Sequence, residues 1–225
     1  MTPHAIEVLV DNPTDSEYWD QYYSRQHPSI IGSTTFARFC AELMAPGSAV
    51  FELGCGNGRD ALFFAELGHR VTACDRSSVA IRNLKAALDE REFAHPPTLV
   101  VGEMGALPPA RELDVVYSRF TLHAVSKREA SHALGWAFAN LRPGGRLFAE
   151  ARSVRGSLYG KGEEVARDTF LFNSHTRRFL RRDELVDELT GLGFAIDECI
   201  EAAGLAVHKD DDPVVIRVIA RKPAP

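Results

Sequence analysis

Three glycines at every second position, in Glu52-Leu53-Gly54-Cys55-Gly56-Asn57-Gly58, constrain this chain more than any other stretch. An apolar run at residues 50–53 leads into them and helix formers at 59–67 follow, so the unit reads as strand, tight turn and helix. Glycine collects at such a turn where the backbone needs positive φ or passes close to a ligand, because a Cβ would strain or collide. A pyrophosphate turn spaces its glycines G-x-G-x-x-G so that the helix N-terminus receives the phosphates. Here the spacing is G-x-G-x-G, with Glu52 ahead of it and a second acid, Asp75, closing the next apolar run at 71–74. A carboxylate at that strand end can accept two hydrogen bonds from a ribose diol. The alternative is a glycine turn that holds no ligand, and the position of Asp75 speaks against it.

Beyond the turn, strands and helices alternate. Residues 71–74, 99–101, 115–117 and 146–151 read as further strands, the last entered through a turn at Pro143-Gly144-Gly145. Gly68 stops the first of the intervening helices. Ser77-Ser78 starts the next, with Ile81, Leu84 and Leu88 on one face. Ser126-Lys127-Arg128-Glu129 has the form of a capping box that opens a helix to residue 141. Continuous apolar strands separated by helices predict a parallel sheet covered on both faces, with ligands outside the carboxyl ends of its strands. A helix at 183–192 and strands at 194–200 and 214–220 suit a terminal antiparallel hairpin. Two stretches stand outside this order. Residues 1–47 carry Tyr18, Trp19, Tyr22 and Tyr23 on a short helix capped by Asp15 or Ser16, then a second helix at 34–43. These rings either close over a ligand or pin the arm to the sheet. From 152 to 179 no period is visible, a length that is uncommon unless functional or disordered, and its aromatic content argues against disorder.

The 225 residues, 45% hydrophobic and 25% charged, suit one α/β domain. No run approaches the roughly 18 apolar residues of a membrane span, and the N-terminus lacks signal-peptide order, so a cytosolic (cytoplasmic) protein is expected. Four scattered cysteines, Cys40, Cys55, Cys74 and Cys199, read as reduced thiols, neither disulfides nor zinc ligands. Net charge is −5, which gives no footprint for nucleic acid. Residues 152–182, however, hold eight Lys or Arg against three acids, +5, which leaves −10 elsewhere. That concentration points either to a small anionic partner or to a solvated basic surface, the reading expected for Arg181 and Arg182.

With the Glu52 to Gly58 turn, Asp75, Gly102-Glu103, Asp114-Val115-Val116-Tyr117-Ser118, Leu122-His123 and Leu141-Arg142-Pro143-Gly144-Gly145 in place, the chain resembles the class I S-adenosylmethionine (SAM) methyltransferases over nearly its whole length. The resemblance implies a Rossmann-like, doubly wound, seven-stranded sheet, mostly parallel with an antiparallel terminal hairpin, and a small cap from the N-terminal arm and the 152–179 insertion. It implies SAM as cofactor. The glycine turn would take the methionine moiety through Gly54, Gly56 and Asn57, framed by Glu52 and Gly58. Asp75 would hold the ribose, and Glu103 and Met104 the adenine, with Arg76 and Ser118 completing the set. Glu103 stands where aspartate is more usual. Arg76 either stacks on adenine or is solvated. His123 is the candidate general base for a neutral acceptor, or else a wall residue; an acceptor already ionised needs no base.

Arg152-Ser153, the stretch from Ser157 to Glu163, Asp168-Thr169-Phe170 and His175-Thr176-Arg177-Arg178-Phe179 resemble the insertion of bacterial small-molecule methyltransferases. That group includes ones associated with surface polysaccharides and the tellurite-resistance-like enzymes. The expected acceptor site joins Trp19, Tyr22, Tyr23 and Arg119 to Arg152, Tyr159, Lys161, His175, Arg177 and Arg178, since arginine grips carboxylate or phosphate with two parallel bonds. The expectation is O-methylation of a small carboxylate, phosphate or phosphonate. N- or S-methylation, tellurite-type detoxification and a non-catalytic SAM- or RNA-binding module are the alternatives. A nicotinamide oxidoreductase would need the G-x-G-x-x-G spacing that is missing.

Overall fold

The computed structural model describes residues 14–25, 32–172, 175–208 and 211–224. Two helices come first, α1 (Thr14–Ser24) and α2 (Thr35–Glu42). The alternating body follows as β1 (Ala49–Leu53), α3 (Arg59–Glu66), β2 (Arg70–Asp75), α4 (Ser78–Asp89), β3 (Thr98–Val101), β4 (Leu113–Arg119), α5 (Lys127–Asn140) and β5 (Leu141–Arg152). The chain closes with β6 (Glu163–Ala166), β7 (Thr169–Phe172), β8 (His175–Arg178), α6 (Arg182–Gly191), β9 (Ala195–Ala202) and β10 (Val215–Arg221). Seven strands form one sheet in the order β3-β2-β1-β4-β5-β10-β9, parallel except for β10, which runs antiparallel to both neighbours. The order reverses between β1 and β4, and a doubly wound sheet leaves its crevice at that switch.

Local chemistry sets the helix starts. Thr34 and Ser77 accept from the backbone N–H three residues on, at 3.0 and 3.1 Å. Ser126 and Glu129 exchange the bonds of a capping box. Each capped helix then lays an apolar face on the sheet. Phe36, Phe64 and Leu84 pack on one side with Tyr117, and Leu134, Leu185 and Leu189 pack on the other, all buried. The first helix begins at Thr14, ahead of the caps expected at Asp15 and Ser16.

One expectation needs correcting. Pro143-Gly144-Gly145 is no turn but the bulged opening of β5, where pairing with β4 slips between Leu113 and Val115. A Cβ on Gly145 would lie 2.9 Å from the carbonyl oxygens of Arg142 and Leu113, so only glycine fits that close strand crossing. The 152–179 insertion is ordered, in keeping with its aromatic content, as an antiparallel sheet β6-β7-β8. Its clamp is Asp168, held at φ +55 and accepting from the Tyr159 hydroxyl at 2.6 Å and from Arg181 Nε and Nη2 at 2.9 and 2.8 Å. Arg181 and Arg182 are both exposed, as expected, but Arg181 also holds Asp168, and Arg182 lies beside Asp183. Tyr159, Phe170 and Phe179 fill the space beneath with ring centroids 5.2–6.0 Å apart. Backbone bonds from Arg178 to His123 and from Leu180 to Arg152 fasten β8 to the strand ends of the main sheet.

Candidate active site

Gly54, Gly56 and Gly58 all lie at positive φ, at +70, +54 and +78. A Cβ at Gly54 would fall 2.1 Å from Thr121 Oγ1, and one at Gly58 would fall 2.2 Å from Leu84. The glycines thus let the turn settle between the β4–α5 loop and α4. Gly54 and Cys55 donate to the Cys74 carbonyl at 2.8 and 3.0 Å, so the turn is hung on the end of β2. Asp75, buried at that end, accepts from the N–H of Gly56 at 2.8 Å and of Ser77 at 2.9 Å. Burial raises its carboxyl and these two backbone donors lower it, with a net upward shift.

Beside the turn lies a cavity of ≈ 320 Å³, at the carboxyl ends of β1, β2 and β4. Glu52, Gly54, Gly56, Asn57, Asp75, Arg76 and Met104 line it from the expected cofactor set, and Trp19, Tyr22, Tyr23 and Arg119 from the expected acceptor set. A larger, open hollow of ≈ 500 Å³ beside Lys85 and Pro96-Pro97 lies away from these strand ends.

Several expected residues are not part of the cavity. Glu103 is turned outward and pairs with Arg76, whose guanidinium also meets Glu129 at 3.0 Å. Arg76 is thus an ion-paired wall residue, neither simply solvated nor free. Gly58 serves helix packing, and Ser118 is fully buried within β4. Tyr159 is spent on Asp168, Lys161 is exposed, and Arg178 donates to the Leu122 carbonyl at 2.7 Å. Arg152 pairs with Asp211 at 2.5 Å.

His123 is also set back from the cavity wall. Its Nδ1 accepts the backbone N–H of Arg152 at 3.2 Å, which assigns its proton to Nε2. Burial pushes its imidazole well below the ordinary value, and Arg152, Arg177, His175 and Arg178 push the same way. The ring is neutral, with its free lone pair already engaged.

The N-terminal helix spans the cavity mouth. From one side of it Tyr18 stacks on His175, centroids 4.5 Å apart, and from the other Asp20 accepts from Ser77 at the start of α4. Asn83 donates to the Tyr23 carbonyl at 3.0 Å. Tyr23, expected on the acceptor side, sits over the glycine turn, its hydroxyl 2.6 Å from where a Gly56 Cβ would be. The arm is both pinned and a wall, so the two readings of its aromatics meet in one element.

Sequence reasoning missed a buried trio on the same wall. Asp60 accepts from Thr34 N and Oγ1, each at 2.9 Å, and from Tyr117 OH at 2.8 Å. It also missed Thr121, and placed Phe120 at the end of β4 without giving it a role. Asp60 opens the helix after the glycine turn, a position that the motif itself could have flagged.

The cradle fits SAM. Its glycines leave room that side chains would fill, and Asp75 offers a carboxylate at the ribose position. Glu52 Oε2 is buried with no hydrogen-bond partner among the described residues, as a site for a ligand's ammonium requires. Burial, then Asp60 and Asp75, drive the Glu52 carboxyl well above the usual range, a cost that a bound cation would relieve. Sheet order, glycine turn and paired acids together are those of the class I SAM-dependent methyltransferase fold.

Residues 50–145, from β1 to the bulge of β5, match the family described as a methyltransferase domain. It is 27% identical over 208 residues to a probable S-adenosylmethionine-dependent methyltransferase of Mycolicibacterium smegmatis, covering 91% of this chain and 72% of that one. A SAM-dependent methyltransferase structure from Methanosarcina mazei superposes with a TM-score of 0.74 at 20% identity, over 83% of this chain and 98% of that one. The 1,6-didemethyltoxoflavin-N1-methyltransferase of Burkholderia thailandensis gives 0.71 at 21%, over 99% and 93%. Among the described residues no helix is long and apolar enough to cross a membrane.

Proposed function

We propose that this methyltransferase acts on an ionised oxygen of a small anionic acceptor. The observation that carries the reading is the charge balance at the cavity wall. Arg119 lines the cavity, and its acid, the fully buried Glu150, lies 2.9 Å away but also accepts from Arg217 Nε at 2.6 Å. One carboxylate facing two guanidiniums leaves a positive charge beside the acceptor. Arg177, from the expected acceptor set, does not line this cavity; it is half-buried, and burial and Arg152 lower its pKa.

The same wall offers no base. Asp60 is saturated by Thr34 and Tyr117, Glu52 and Asp75 belong to the cofactor end, and the Nδ1 lone pair of His123 is taken by the Arg152 N–H. An acceptor that arrives ionised needs none of them. When bound, SAM supplies a sulfonium methyl: the oxyanion forms the C–O bond, the S–C pair stays on sulfur, and no proton is released. The chain's own residues contribute alignment, which can supply about 7–11 kcal/mol in favourable cases. A neutral aromatic nitrogen also needs no base, and the N-methyltransferase among the structural neighbours favours it as the second reading.

Calorimetry with S-adenosylhomocysteine (SAH) tests the cofactor, and Asp75→Ala should abolish that binding. A screen of small carboxylates, phosphates and phosphonates for SAH release, with mass analysis of the product, tests the acceptor. Arg119→Met leaves Glu150 paired with Arg217 and should raise the acceptor's KM at least tenfold with that of SAM unchanged. Equal rises in both would refute the anion site.

A further inference from the structure

The acceptor side of the cavity contains two aromatic plates whose orientation the protein fixes. Trp19 is gripped by edge-to-face contacts on several sides, with Tyr18 at 5.3 Å and 83°, Tyr22 at 5.5 Å and 79°, and His175 at 5.1 Å and 79°. These three meet the indole nearly at right angles while Tyr23 stacks beside it at 5.8 Å and 26°, so the plane of Trp19 cannot tilt without losing a partner. Holding Trp19 from the insertion side explains why a buried, neutral His175 sits on β8 and why Tyr18 stacks on it.

Phe120 is the second plate, and the backbone bears a cost for it. Its φ is +59, a region that bulky side chains rarely occupy and that persists where the surroundings over-determine it, often at ligand clamps. Its N–H donates to the Glu150 carbonyl at 2.8 Å. The guanidinium carbons of Arg119 and Arg152 lie 4.3 and 5.4 Å from its ring centroid, and His123 meets it edge-on at 5.2 Å. Strand β4 could end without strain if this residue pointed elsewhere. Instead the strained turn delivers an aromatic ring to the cavity together with a cation.

Two fixed aromatic walls with an arginine at one of them suit a flat acceptor with a charged edge. Resting on the anionic-acceptor reading above, we infer that the acceptor is a planar aromatic acid, an aromatic carboxylate or an ionised phenol. Its ring lies against Trp19 and Phe120 while its oxyanion meets Arg119. A puckered or flexible acid of equal charge satisfies the arginine but loses the stacking, so the walls and not the cation set the choice.

The test uses the wild-type protein saturated with SAH, and calorimetry with benzoate and 2-naphthoate against cyclohexanecarboxylate and octanoate. The flat acids should bind about tenfold more tightly than the puckered and flexible ones, the size expected from aromatic stacking beyond simple burial. Trp19→Leu and Phe120→Leu, each confirmed as folded by its SAH affinity, should erase that preference while leaving the affinity for cyclohexanecarboxylate nearly unchanged. Equal affinity for all four acids, or a preference that survives both variants, overturns the inference and leaves the anion site standing. Absence of binding by every acid overturns the anionic reading itself, and absence of SAH binding overturns the cofactor assignment.

Discussion

Gly54→Ala isolates what the glycine turn is for, because Gly68 provides a matched control. Both residues lie in the left-handed region, at φ +70 and +83, but a Cβ at Gly68 meets nothing within 4 Å. At Gly68 the substitution costs the left-handed conformation, about 1–2 kcal/mol. About 0.4–1 kcal/mol of this is offset by the stiffer unfolded chain. A net loss near 1 kcal/mol is roughly 2–4 °C of Tm for a chain of this size. At Gly54 the new methyl also falls 2.1 Å from Thr121 Oγ1, the hydroxyl that donates to the Leu53 carbonyl at 2.9 Å. Thr121 must move, and the stranded carbonyl adds about 1–3 kcal/mol. The total is about 3 kcal/mol, or roughly 6–12 °C. SAH affinity should fall with it, since the displaced turn is the cradle. Thr121→Ala would not rescue, because the Thr121 Cβ itself lies 2.8 Å from the methyl; Thr121→Gly removes all three of the nearest atoms and should restore part of the SAH affinity while leaving stability low. Thermal melts and calorimetry on the four proteins measure this. Equal Tm losses at Gly54 and Gly68, with SAH binding intact in both, would refute the steric account.

Glu52→Gln should change the pH dependence of the unliganded protein. The folded carboxyl titrates well above its unfolded value, so its contribution to stability is present below about pH 4.3 and is lost as pH rises toward the raised value. The Tm of the variant relative to wild type should therefore climb from pH 4 to pH 8 while its SAH affinity drops, and a difference constant with pH would count against a buried, unpaired acid. His175→Phe tests the opposite sign. Burial and Arg177 hold His175 at about 4, so the folded protein keeps it neutral and loses stability as pH falls below the ordinary 6.5. The interval corresponds to roughly 3 kcal/mol. Phenylalanine keeps a ring against Tyr18 and cannot be protonated, so the urea midpoint of the variant should gain on wild type from pH 7 to pH 4.5; parallel profiles would show that His175 is not buried as described.

What was legible in the sequence was whatever a residue type enforces on its immediate neighbours. Positive φ at Gly54, Gly56 and Gly58, the capping box at Ser126 and Glu129, and the acid ending β2 are all local demands, and the structure meets each of them. The terminal hairpin was likewise legible from two apolar runs around a polar loop. The insertion was not, because its strands are four residues long and β6 is exposed throughout, so no alternation marks them. Their order comes from Asp168, whose partners Tyr159 and Arg181 stand nine residues before it and thirteen after. The same distance effect redirected the motif residues. Glu103 occupies the expected strand end yet faces Arg76, 27 residues earlier, and His123 loses its free lone pair to the Arg152 N–H, 29 residues later. A motif thus specifies which residues arrive at the strand ends, and the partners that arrive with them decide which way each one turns. Phe120 shows the limit most plainly, since nothing in Ser118-Arg119-Phe120-Thr121 signals a left-handed phenylalanine. Only the Glu150 carbonyl, brought alongside by the β4–β5 pairing, and the guanidiniums of Arg119 and Arg152 account for it. The glycine-turn side of the cavity is therefore written in short-range grammar, whereas the side walled by Trp19, Arg119 and Phe120, proposed to take the acceptor, is assembled by tertiary contacts, and that is where the specificity of this enzyme has to be sought.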